Sequence, residues 1–483
     1  MRISGFENIF YLTKFNIKKS CGEHSICTFS CSVSECDETR LLKQTGQEIQ
    51  IVWEDGEKEK CIFCGKIEEI QVSKLLHSTT VDVRAVSLSV AEDEKPYTRI
   101  WQNPDKKMGD ILSASKLTLE VSDLKLSPAL NSQKYPLPVL QNQETNFVFL
   151  KRIAGYMGIP LWVEDIKSGK GGIVLSETIS DMTHEIKPED ILRYTVSKSR
   201  NGKRIIAITT KKYLPFGSKA KISREANEYV ICDLQINLVH EIYEFTYLLE
   251  PYVSWKYEAS KLPHLEKTLY LKGKVENNKD QKNMGRIQVS FDGVNVQDMD
   301  RERLWISYQS PYTGLSGGIV FLPDVGDMVN VIFSNEGIYA TAALRENTLA
   351  EECRNVSEKY IGNNTKQRIF LREKELKIAS GDNTILLDNE KIELVVGESK
   401  ITLTKDKITL QQGKTEFLLT NKGSYIKSND NEMAWNEQGI IGKSSKEIGL
   451  ISKGKINITG NGEINIEAKG NHLSLNGSVV NIG

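Results

Sequence analysis

The sequence has no long hydrophobic run and no excess of charge of either sign. No apolar stretch approaches the ~18 residues that a membrane-spanning helix needs, and the first seven residues, Met-Arg-Ile-Ser-Gly-Phe-Glu, lack the apolar core of a signal peptide. The 63 basic and 64 acidic residues of the 483-residue chain nearly cancel, so no general field attracts nucleic acid or an anionic membrane. We expect protein partners, no nucleic acid, synthesis in the cytoplasm, and export by a route other than the ordinary signal.

Histidine is scarce, and the eight cysteines do not have the spacing of a zinc site. Cys61 and Cys64 form a C-x-x-C pair, but no second pair and no histidine pair follows at zinc-finger spacing. The four cysteines between residues 21 and 36 have irregular gaps, and Cys27 and Cys31 alternate along an apparent strand. Buried, reduced thiols acting as small hydrophobes are therefore favoured over a metal site, and we expect neither a metal nor a cofactor.

The chain is too long for a single core, and its residue patterns divide it into parts that are mainly β. Alternating apolar residues predict a first β-barrel over 1–100, with turns at Asp55-Gly56 and at Gly65. The segment 101–195 is predicted to be mixed α/β, with an amphipathic helix over 144–156, and the strand pattern that resumes predicts a second barrel over 196–265. The strands predicted in the first barrel cover residues 26–33, 48–53, 61–70 and 81–90, and those in the second cover 194–212 and 228–257.

Residues 266–346 predict a small Greek-key barrel of the OB type, because about 80 residues contain five short strand patterns. Pro323 and Gly326 indicate a tight turn, which Asp327 follows before a strand begins. The strands lack the interleaved basic and aromatic residues of a nucleic-acid-binding barrel. The predicted strands are 269–275, 285–291, 304–308, 318–321 and 329–333, and a linker is expected over 347–377.

The last hundred or so residues, 378–483, repeat one small unit. Pairs of apolar residues two positions apart recur at spacings of seven, nine, seven and nine residues, and later of eight, nine and seven, with Gly, Asn, Asp and Lys between them. Each pair predicts a short strand with one apolar face. The pairs are Ile385/Leu387, Ile392/Leu394, Ile401/Leu403, Ile408/Leu410, Phe417/Leu419, Ile456/Ile458, Ile464/Ile466, Leu473/Leu475 and Val480/Ile482.

Strands this short cannot bury a core within one chain, since each unit leaves about five residues, or roughly 17 Å, of strand. Identical copies in a closed symmetric assembly are the simplest cover. We therefore predict that 378–483 forms one third of an intertwined trimeric β-helical prism, a rigid spike with Ile456, Ile458, Ile464 and Ile466 in its core. The alternative is a single-chain β-solenoid adhesin or polysaccharide-active enzyme, although the acidic residues here are scattered among lysines rather than gathered in a cleft.

Three features of the sequence resemble the VgrG family, the hub-and-spike proteins of type VI secretion systems, contractile phage tails and phage-tail-like particles. Gly-Arg-Ile-Gln-Val at 285–289, Leu-Trp-Ile-Ser-Tyr at 304–308 and Phe-Leu-Pro-Asp-Val-Gly-Asp at 321–327 look like the OB-fold module of the family. The stretch 143–153, followed by Gly158-Ile159, is similar to the hub motif in which an acid and a Phe precede a helix. The terminal repeat is the third feature. Trp305, Pro323, Gly326 and Asp327 are the OB-fold residues that we single out.

The resemblance implies a homotrimer with two hub barrels per chain, matching a hexameric tube of Hcp-like subunits. Baseplate proteins and effectors are further implied partners, and the implied function is mechanical puncture of a target membrane, without enzymatic activity. The particle would carry the chain out of the cytoplasm or into a target cell. A PAAR-like tip protein is expected to bind the blunt end of the prism at Leu473, Leu475, Val479, Val480 and Ile482.

Two alternatives belong to other functional classes. An enzyme would need an activated nucleophile, and Ser474 near His472 or Cys353 in the linker are the best candidates, but none has a third group to activate it. A lone turn residue is the simpler interpretation of His472. A trimeric receptor-binding fibre would also use a β-prism, but it would need only a short attachment segment before the prism rather than 265 residues.

Overall fold

A computed structural model of the chain describes two compact units, Met1–Glu346 and Asn347–Gly483. No helix in the ranges that it covers is long and apolar enough to cross a membrane. Those ranges are 1–6, 11–33, 38–55, 58–75, 78–103, 105–113, 119, 122–134, 139–198, 204–223, 225–252, 268–291, 303–314, 318–334, 337–345, 348–349, 351, 354–470 and 472–480.

The first unit is built mostly from strands. Its helices are α1 (Glu38–Leu42), α2 (Met108–Ile111), α3 (Pro128–Ser132) and α4 (Asn146–Met157), with 3₁₀ turns at Leu88–Asp93 and Pro188–Asp190. Its strands are β1 (Arg2–Ile3), β2 (Tyr11–Ser20), β3 (Ile26–Val33), β4 (Glu48–Asp55), β5 (Lys58–Leu75), β6 (Ser78–Ser87), β7 (Pro96–Trp101), β8 (Ser122–Leu126), β9 (Val139–Thr145), β10 (Leu161–Glu164), β11 (Gly171–Leu175), β12 (Ser180–Ile186), β13 (Ile191–Lys198), β14 (Arg204–Thr210), β15 (Ser218–Ile222), β16 (Glu228–Val239), β17 (Ile242–Pro251), β18 (Leu269–Asn277), β19 (Arg286–Ser290), β20 (Ile306–Tyr308), β21 (Met328–Ser334) and β22 (Gly337–Leu344).

The two regions predicted as separate hub barrels share one twelve-stranded sheet. Its main path runs β1-β4-β5-β6-β3-β2-β16-β17-β14-β13, and β12 and β15 join through β16. The connection is the antiparallel pair β2–β16, in which Ile17 lies opposite Ile236. Both residues are fully buried, and so are Cys27 and Cys31, as the alternation along β3 predicts. Pairing between residues so distant in sequence leaves no local pattern, which is why sequence alone divides the sheet in two.

Gly65 is not at a turn, contrary to the sequence prediction, but lies inside the long strand β5. A Cβ atom at this position would lie 2.4 Å from the carbonyl oxygen of Val86 and 2.6 Å from the ring of Phe63. The position therefore needs glycine because neighbouring backbone comes too close for any side chain. Gly56 of the other predicted turn is outside the described residues.

Helix α4 confirms the predicted amphipathic helix, with a boundary shift of two residues at its start. The side chain of Thr145 accepts a hydrogen bond from the backbone N–H of Val148 at 3.2 Å and caps the helix. The helix ends at Gly158, whose φ of 67° is the left-handed conformation that glycine adopts without strain. The predicted apolar face is buried, and it packs with the sheet of β10, β11 and β8 in a second core.

The OB-type module is a closed barrel in the order β18-β19-β20-β22-β21. Four of the five predicted strands are present. The segment 318–321 contributes only an isolated bridge, from Gly318 to Thr313. The fifth strand of the barrel is β22, which the sequence did not predict. Only Ala340 among the residues of β22 is fully buried. The strand therefore lacks the alternation of apolar and polar residues from which a strand is predicted.

The second unit is an eleven-stranded antiparallel sheet in which every strand pairs with the next in sequence. Each strand begins eight residues after the previous one. The sheet starts at Lys359, inside the segment predicted as linker, and three strands lie beyond the last predicted pair of its first half. The strands are β23 (Lys359–Gly362), β24 (Gln367–Leu371), β25 (Glu375–Ser380), β26 (Asn383–Asp388), β27 (Lys391–Val396), β28 (Ser399–Thr404), β29 (Lys407–Gln412), β30 (Thr415–Thr420), β31 (Gly423–Ser428), β32 (Asn431–Asn436) and β33 (Gly439–Lys443).

The alternating spacing of seven and nine residues has a geometric cause. In a meander of eight-residue units, each strand runs opposite to the one before, so the apolar pair must shift by one position from strand to strand to stay on one face. Turns along one edge carry a left-handed first residue, as at Gly381, Gly397, Gly413 and Asn429. Between Ile456 and Ile464 the spacing becomes eight, which would place successive pairs on opposite faces of such a meander. The described residues after Lys443 contain no strand.

Candidate functional site

One face of the eleven-stranded sheet carries two rows of apolar side chains, the second of which is interrupted by Ser424. Neighbouring residues in a row lie directly opposite each other in adjacent strands. We call this surface the apolar face. One row consists of Ile369, Ile378, Ile385, Leu394, Ile401, Leu410, Phe417, Ile426 and Met433, and the other of Leu371, Leu376, Leu387, Ile392, Leu403, Ile408, Leu419, Ser424, Trp435 and Ile440.

The apolar face is uncovered within the chain. Ile385 is 42% exposed, and Ile392 and Leu410 are each 41% exposed. Full burial of such a side chain stabilises by about 1.5–3 kcal/mol, so covering the roughly 40% that is exposed contributes about 1 kcal/mol. An apolar surface that spans ten adjacent strands exceeds what a monomeric soluble protein ordinarily leaves in water, and surfaces of this kind mark association sites.

The opposite face of the same sheet carries charged side chains beside apolar ones such as Leu386 and Leu418. The carboxylate of Glu393 lies 3.0 Å from the ammonium of Lys391 and 2.8 Å from that of Lys400. These hydrogen bonds, that from Lys400 first, hold the pKa of Glu393 below its usual value. The two faces therefore differ in composition, since the two rows of the apolar face contain no charged side chain.

The residues singled out for the spike core and tip lie beyond the last strand. Ile456, Ile458, Ile464 and Ile466 are between 49% and 65% exposed in the single chain, and Leu473, Leu475, Val479 and Val480 between 48% and 75%. Ile482 is outside the described residues. None of the described residues buries these side chains, so their assignment to a trimer core and a tip surface stays a prediction.

Two of the predicted OB-fold residues, Gly326 and Asp327, join the turn before β21 to strand β18. Gly326 donates its backbone N–H to the carbonyl of Val275 at 2.8 Å, and Val275 donates its own to the carbonyl of Asp327 at 2.8 Å. The Asp327 side chain accepts from the backbone N–H of Asp324 at 2.9 Å, which fixes the turn after Pro323. The φ of 98° at Gly326 favours glycine. This motif closes the barrel and holds no catalytic group.

Sequence reasoning missed a loop that is organised around Asp280. Its carboxylate accepts backbone N–H groups of Lys282 and Met284, each at 3.0 Å. It also accepts two parallel hydrogen bonds, 2.8 and 2.7 Å long, from the guanidinium of Arg286, which lies 5.8 Å from the ring centre of Trp305. An aspartate six residues before the arginine of the Gly-Arg-Ile-Gln-Val motif is the signal that points to this loop.

The Asp280 loop predicts a particular pH dependence of stability. The bonds from Arg286, followed by those from the backbone, hold the pKa of Asp280 well below its usual range. A depressed folded-state pKa contributes stability above the unfolded value of about 3.9, and this contribution is lost as the pH falls towards the folded value. We expect Asp280→Asn to lower the thermal midpoint of the first unit at pH 7, and the gap to wild type to narrow below about pH 4. A constant gap from pH 7 to pH 2, measured by scanning calorimetry, would contradict this.

The hub motif is a packing and hydrogen-bonding junction around the start of α4. Glu144 accepts two hydrogen bonds from Arg152, at 2.8 and 2.7 Å. The buried side chain of Asn146 donates to Glu92 at 3.0 Å and accepts from Arg99 at 2.8 Å. These contacts hold the N-terminal end of the helix to the strand β7 and to the 3₁₀ turn that precedes it, which gives the acid of the motif a structural role.

A Ser–His–Asp arrangement lies beside this junction, but it has no route to a substrate. The imidazole of His24 is 2.7 Å from the hydroxyl of Ser89 and 2.9 Å from the carboxylate of Asp93, and it packs on the ring of Phe147 with centroids 3.8 Å apart. Ser89 is fully buried and also contacts the hydroxyl of Ser87. A nucleophile must reach its substrate, so these groups form a structural network in this conformation.

The three candidate catalytic residues gain no support from the structure. His472 and Ser474 are both exposed, and no hydrogen bond joins them in the part of the chain that the structure describes. Cys353 is outside the described residues. Within those residues no group of three or more metal-ligating side chains comes together either.

Comparisons with known proteins agree with this geometry. Residues 271–344, which form the closed barrel, match the type VI secretion system/phage-baseplate injector OB domain. The solved E. coli c3393 protein, described as a type VI secretion component similar in structure to the T4 bacteriophage tail proteins gp27 and gp5, superposes with a TM-score of 0.51 at 14% identity, covering 71% of this chain and 99% of that one. The chain thus contains an injector OB domain. A search of curated proteins finds no significant match.

A second solved structure extends the likeness in fold along the chain. The Francisella PdpA-VgrG complex, in a lidded form, gives a TM-score of 0.51 at 10% identity and covers 90% of this chain and 76% of that one. At such low identity the likeness concerns the fold. It extends well beyond the injector OB domain at residues 271–344.

Proposed function

We propose that the chain is the trimeric hub and spike of a contractile injection machine. In this role it adapts a tube of Hcp-like subunits to a membrane-puncturing tip and bears a tip protein or effectors. The observation that supports a trimer best is the apolar face, which spans ten strands of one chain and has no cover within it. Three identical faces turned towards a common axis would bury all of these rows in one core.

The terminal segment has a second role in this proposal. Up to Lys443 each chain supplies a complete sheet, because the spacing of seven and nine keeps the apolar pairs on one face. From Ile456 the spacing of eight no longer suits a meander, and the strands would pair with those of the other two copies instead. Such intertwined strands leave no lateral edges, which gives a narrow rod that resists bending. The test is light scattering of the purified chain, which should give about three times its mass of 54.5 kDa.

Because the chain forms two compact units, we expect the hub to fold without the spike. A chain ending at Glu346 should remain soluble and folded, because the first unit has its own cores. It should lose trimer formation and puncture of target cells, since the apolar face is gone. Circular dichroism, thermal unfolding and light scattering check this. Loss of all soluble protein from this truncation would show instead that the second unit nucleates folding of the whole chain.

We expect the C-terminal residues 473–480 to bind a separate small cone-shaped protein of the PAAR type. Exposed strand ends need a cover, and residues 473–480 carry four exposed apolar side chains. Removing residues 478–483 should abolish capture of the tip protein in a pull-down and leave the trimer intact. Asn476→Asp, a nearly isosteric change at an exposed position, is the matched control and should bind normally. Full binding by the truncated chain would contradict the proposed site.

A trimeric receptor-binding fibre is the second candidate, and the apolar face fits it equally well. The first unit distinguishes the injection machine from the fibre, because the solved structures that share its fold are matched over most of their own length. A sheath, tube and baseplate that co-purify with the chain would favour the injection machine, whereas a chain that binds cell-surface glycans without them would favour the fibre.

A further inference from the structure

Cys61 and Cys64 are brought together by an irregularity in strand β5. Side chains three residues apart on a regular strand point to opposite faces. Here Ile51 lies opposite Phe63 and the next residue, Val52, lies opposite Cys61, so Ile62 has no partner across the strands. A β-bulge of this kind reverses the alternation locally. As a result the two sulfur atoms lie only 3.5 Å apart.

The two thiols differ in access to solvent. Cys61 is partly exposed, whereas Cys64 is 1% exposed. The backbone N–H of Cys64 donates to the carbonyl of Asp165 at 2.6 Å, which holds the bulge against the loop after β10. This arrangement offers one sulfur to small molecules in solution and keeps the second sulfur behind it, within reach.

The surroundings favour ionisation of the outer thiol. The hydrogen bond between the two thiols is the main cause that lowers the pKa of Cys61, and the buried ammonium of Lys19 acts in the same direction. Burial raises the pKa of Cys27, which lies on strand β3 of the same sheet. Since the thiolate is the reactive form, Cys61 is set apart from the inert core thiols of the same barrel.

We propose that Cys61 and Cys64 form a redox-active dithiol that hydrogen peroxide oxidises to an intrachain disulfide. The Cys61 thiolate attacks one peroxide oxygen, the O–O bond breaks, and the sulfur becomes a sulfenic acid while the second oxygen leaves as water after protonation. The Cys64 sulfur then attacks the Cys61 sulfur, the S–O bond breaks, and hydroxide leaves and takes up the Cys64 proton. Two thiols and one peroxide thus give one disulfide and two water molecules.

The sulfurs must approach from 3.5 Å to the disulfide bond length of about 2.05 Å, and the backbone of the bulge must bring the two residues together for this. The disulfide would fix the bulge beside Lys19 and Asp165. The proposal depends on the geometry of the first unit alone and holds whether or not the chain acts as a spike.

Peptide mass spectrometry of the full chain tests the proposal directly, because trypsin releases both cysteines in one peptide, residues 61–66. After peroxide treatment of the native protein this peptide should be lighter by two hydrogen atoms and should accept no alkylating reagent until a reductant is added. In Cys64→Ser, dimedone should instead trap a sulfenic acid on Cys61, because no second thiol remains to displace the hydroxide. Cys27 is the internal control and should remain unmodified in the folded protein.

Two results would overturn the proposal. One is that peptide 61–66 stays reduced in the native protein at peroxide concentrations that oxidise it once the chain is unfolded. The other is a stoichiometric metal ion in the purified protein, with both thiols unreactive until a chelator is added, because the pair would then be a metal ligand set rather than a dithiol.

Discussion

A Leu410→Asp chain is expected to scatter light as a monomer of about 54.5 kDa rather than as a trimer. Leu410 lies in the middle of the apolar face, between Ile401 and Phe417 in the neighbouring strands. A trimer would place three unpaired carboxylates around one axis, and burying even one such group costs several kcal/mol. The single chain should tolerate the change better, since Leu410 is already 41% exposed there.

The neighbouring residue supplies a matched control. Gln411 points to the opposite face, where it is exposed and lies across from Lys400 on one side and Glu416 on the other. Gln411→Asp introduces the same charge one position along the strand, so its product should remain a trimer. Monomers from both variants would mean that strand register, and not burial of the apolar face, controls assembly. Trimers from both would show that the apolar face looks outward.

Lys19→Met is expected to destabilise the first unit by about 3–5 kcal/mol, which should lower its thermal midpoint by roughly 10 °C. Lys19 is 1% exposed and forms an ion pair with Asp165, which is 3% exposed. The second carboxylate oxygen of Asp165 already lacks a hydrogen-bond partner among the described residues. Removing the ammonium therefore leaves a buried charge without compensation. Scanning calorimetry of the full chain measures the effect.

Two variants show whether the lost pairing is the cause. Lys18→Met makes the same substitution at the adjacent, exposed position of β2, and it should shift stability by no more than about 0.5 kcal/mol. Adding Asp165→Leu to Lys19→Met removes the stranded carboxylate and should recover most of the loss. If the double variant is as unstable as the single one, packing of the Lys19 stem and not its charge is what matters.

Local patterns were enough to predict much of the fold. Strand β3 was predicted with its observed ends, Ile26–Val33, because its alternation is regular, and the buried face of α4 followed from its period of 3.6 residues. In the second unit, the alternating spacing of the apolar pairs is a property of hairpins built from eight-residue units. The same spacing accounts for strands that the sequence prediction missed. Met433 and Trp435 are such a pair, on β32.

The remaining features depend on contacts between distant parts of the chain. Lys19 occupies a core position two residues after the buried Ile17, and its partner is 146 residues away, so no window of sequence joins them. The bulge at Ile62 depends on how β4 pairs with β5. The gathering of the apolar pairs on one face was predictable from their spacing, but which residues lie at the centre of that face needed the register.

The meander gives the second unit a modular length. Every hairpin repeats the same eight-residue step twice and returns the chain to the same edge with its apolar pair on the same face. Insertion of one whole hairpin would thus add about 10 Å of sheet, from two strand spacings of about 4.8 Å, and leave the segments on either side in register. Insertion of a single strand would make the chain leave from the other edge. Reach can therefore change between related chains in hairpin steps, by duplication of a short stretch of gene and without redesign of either end.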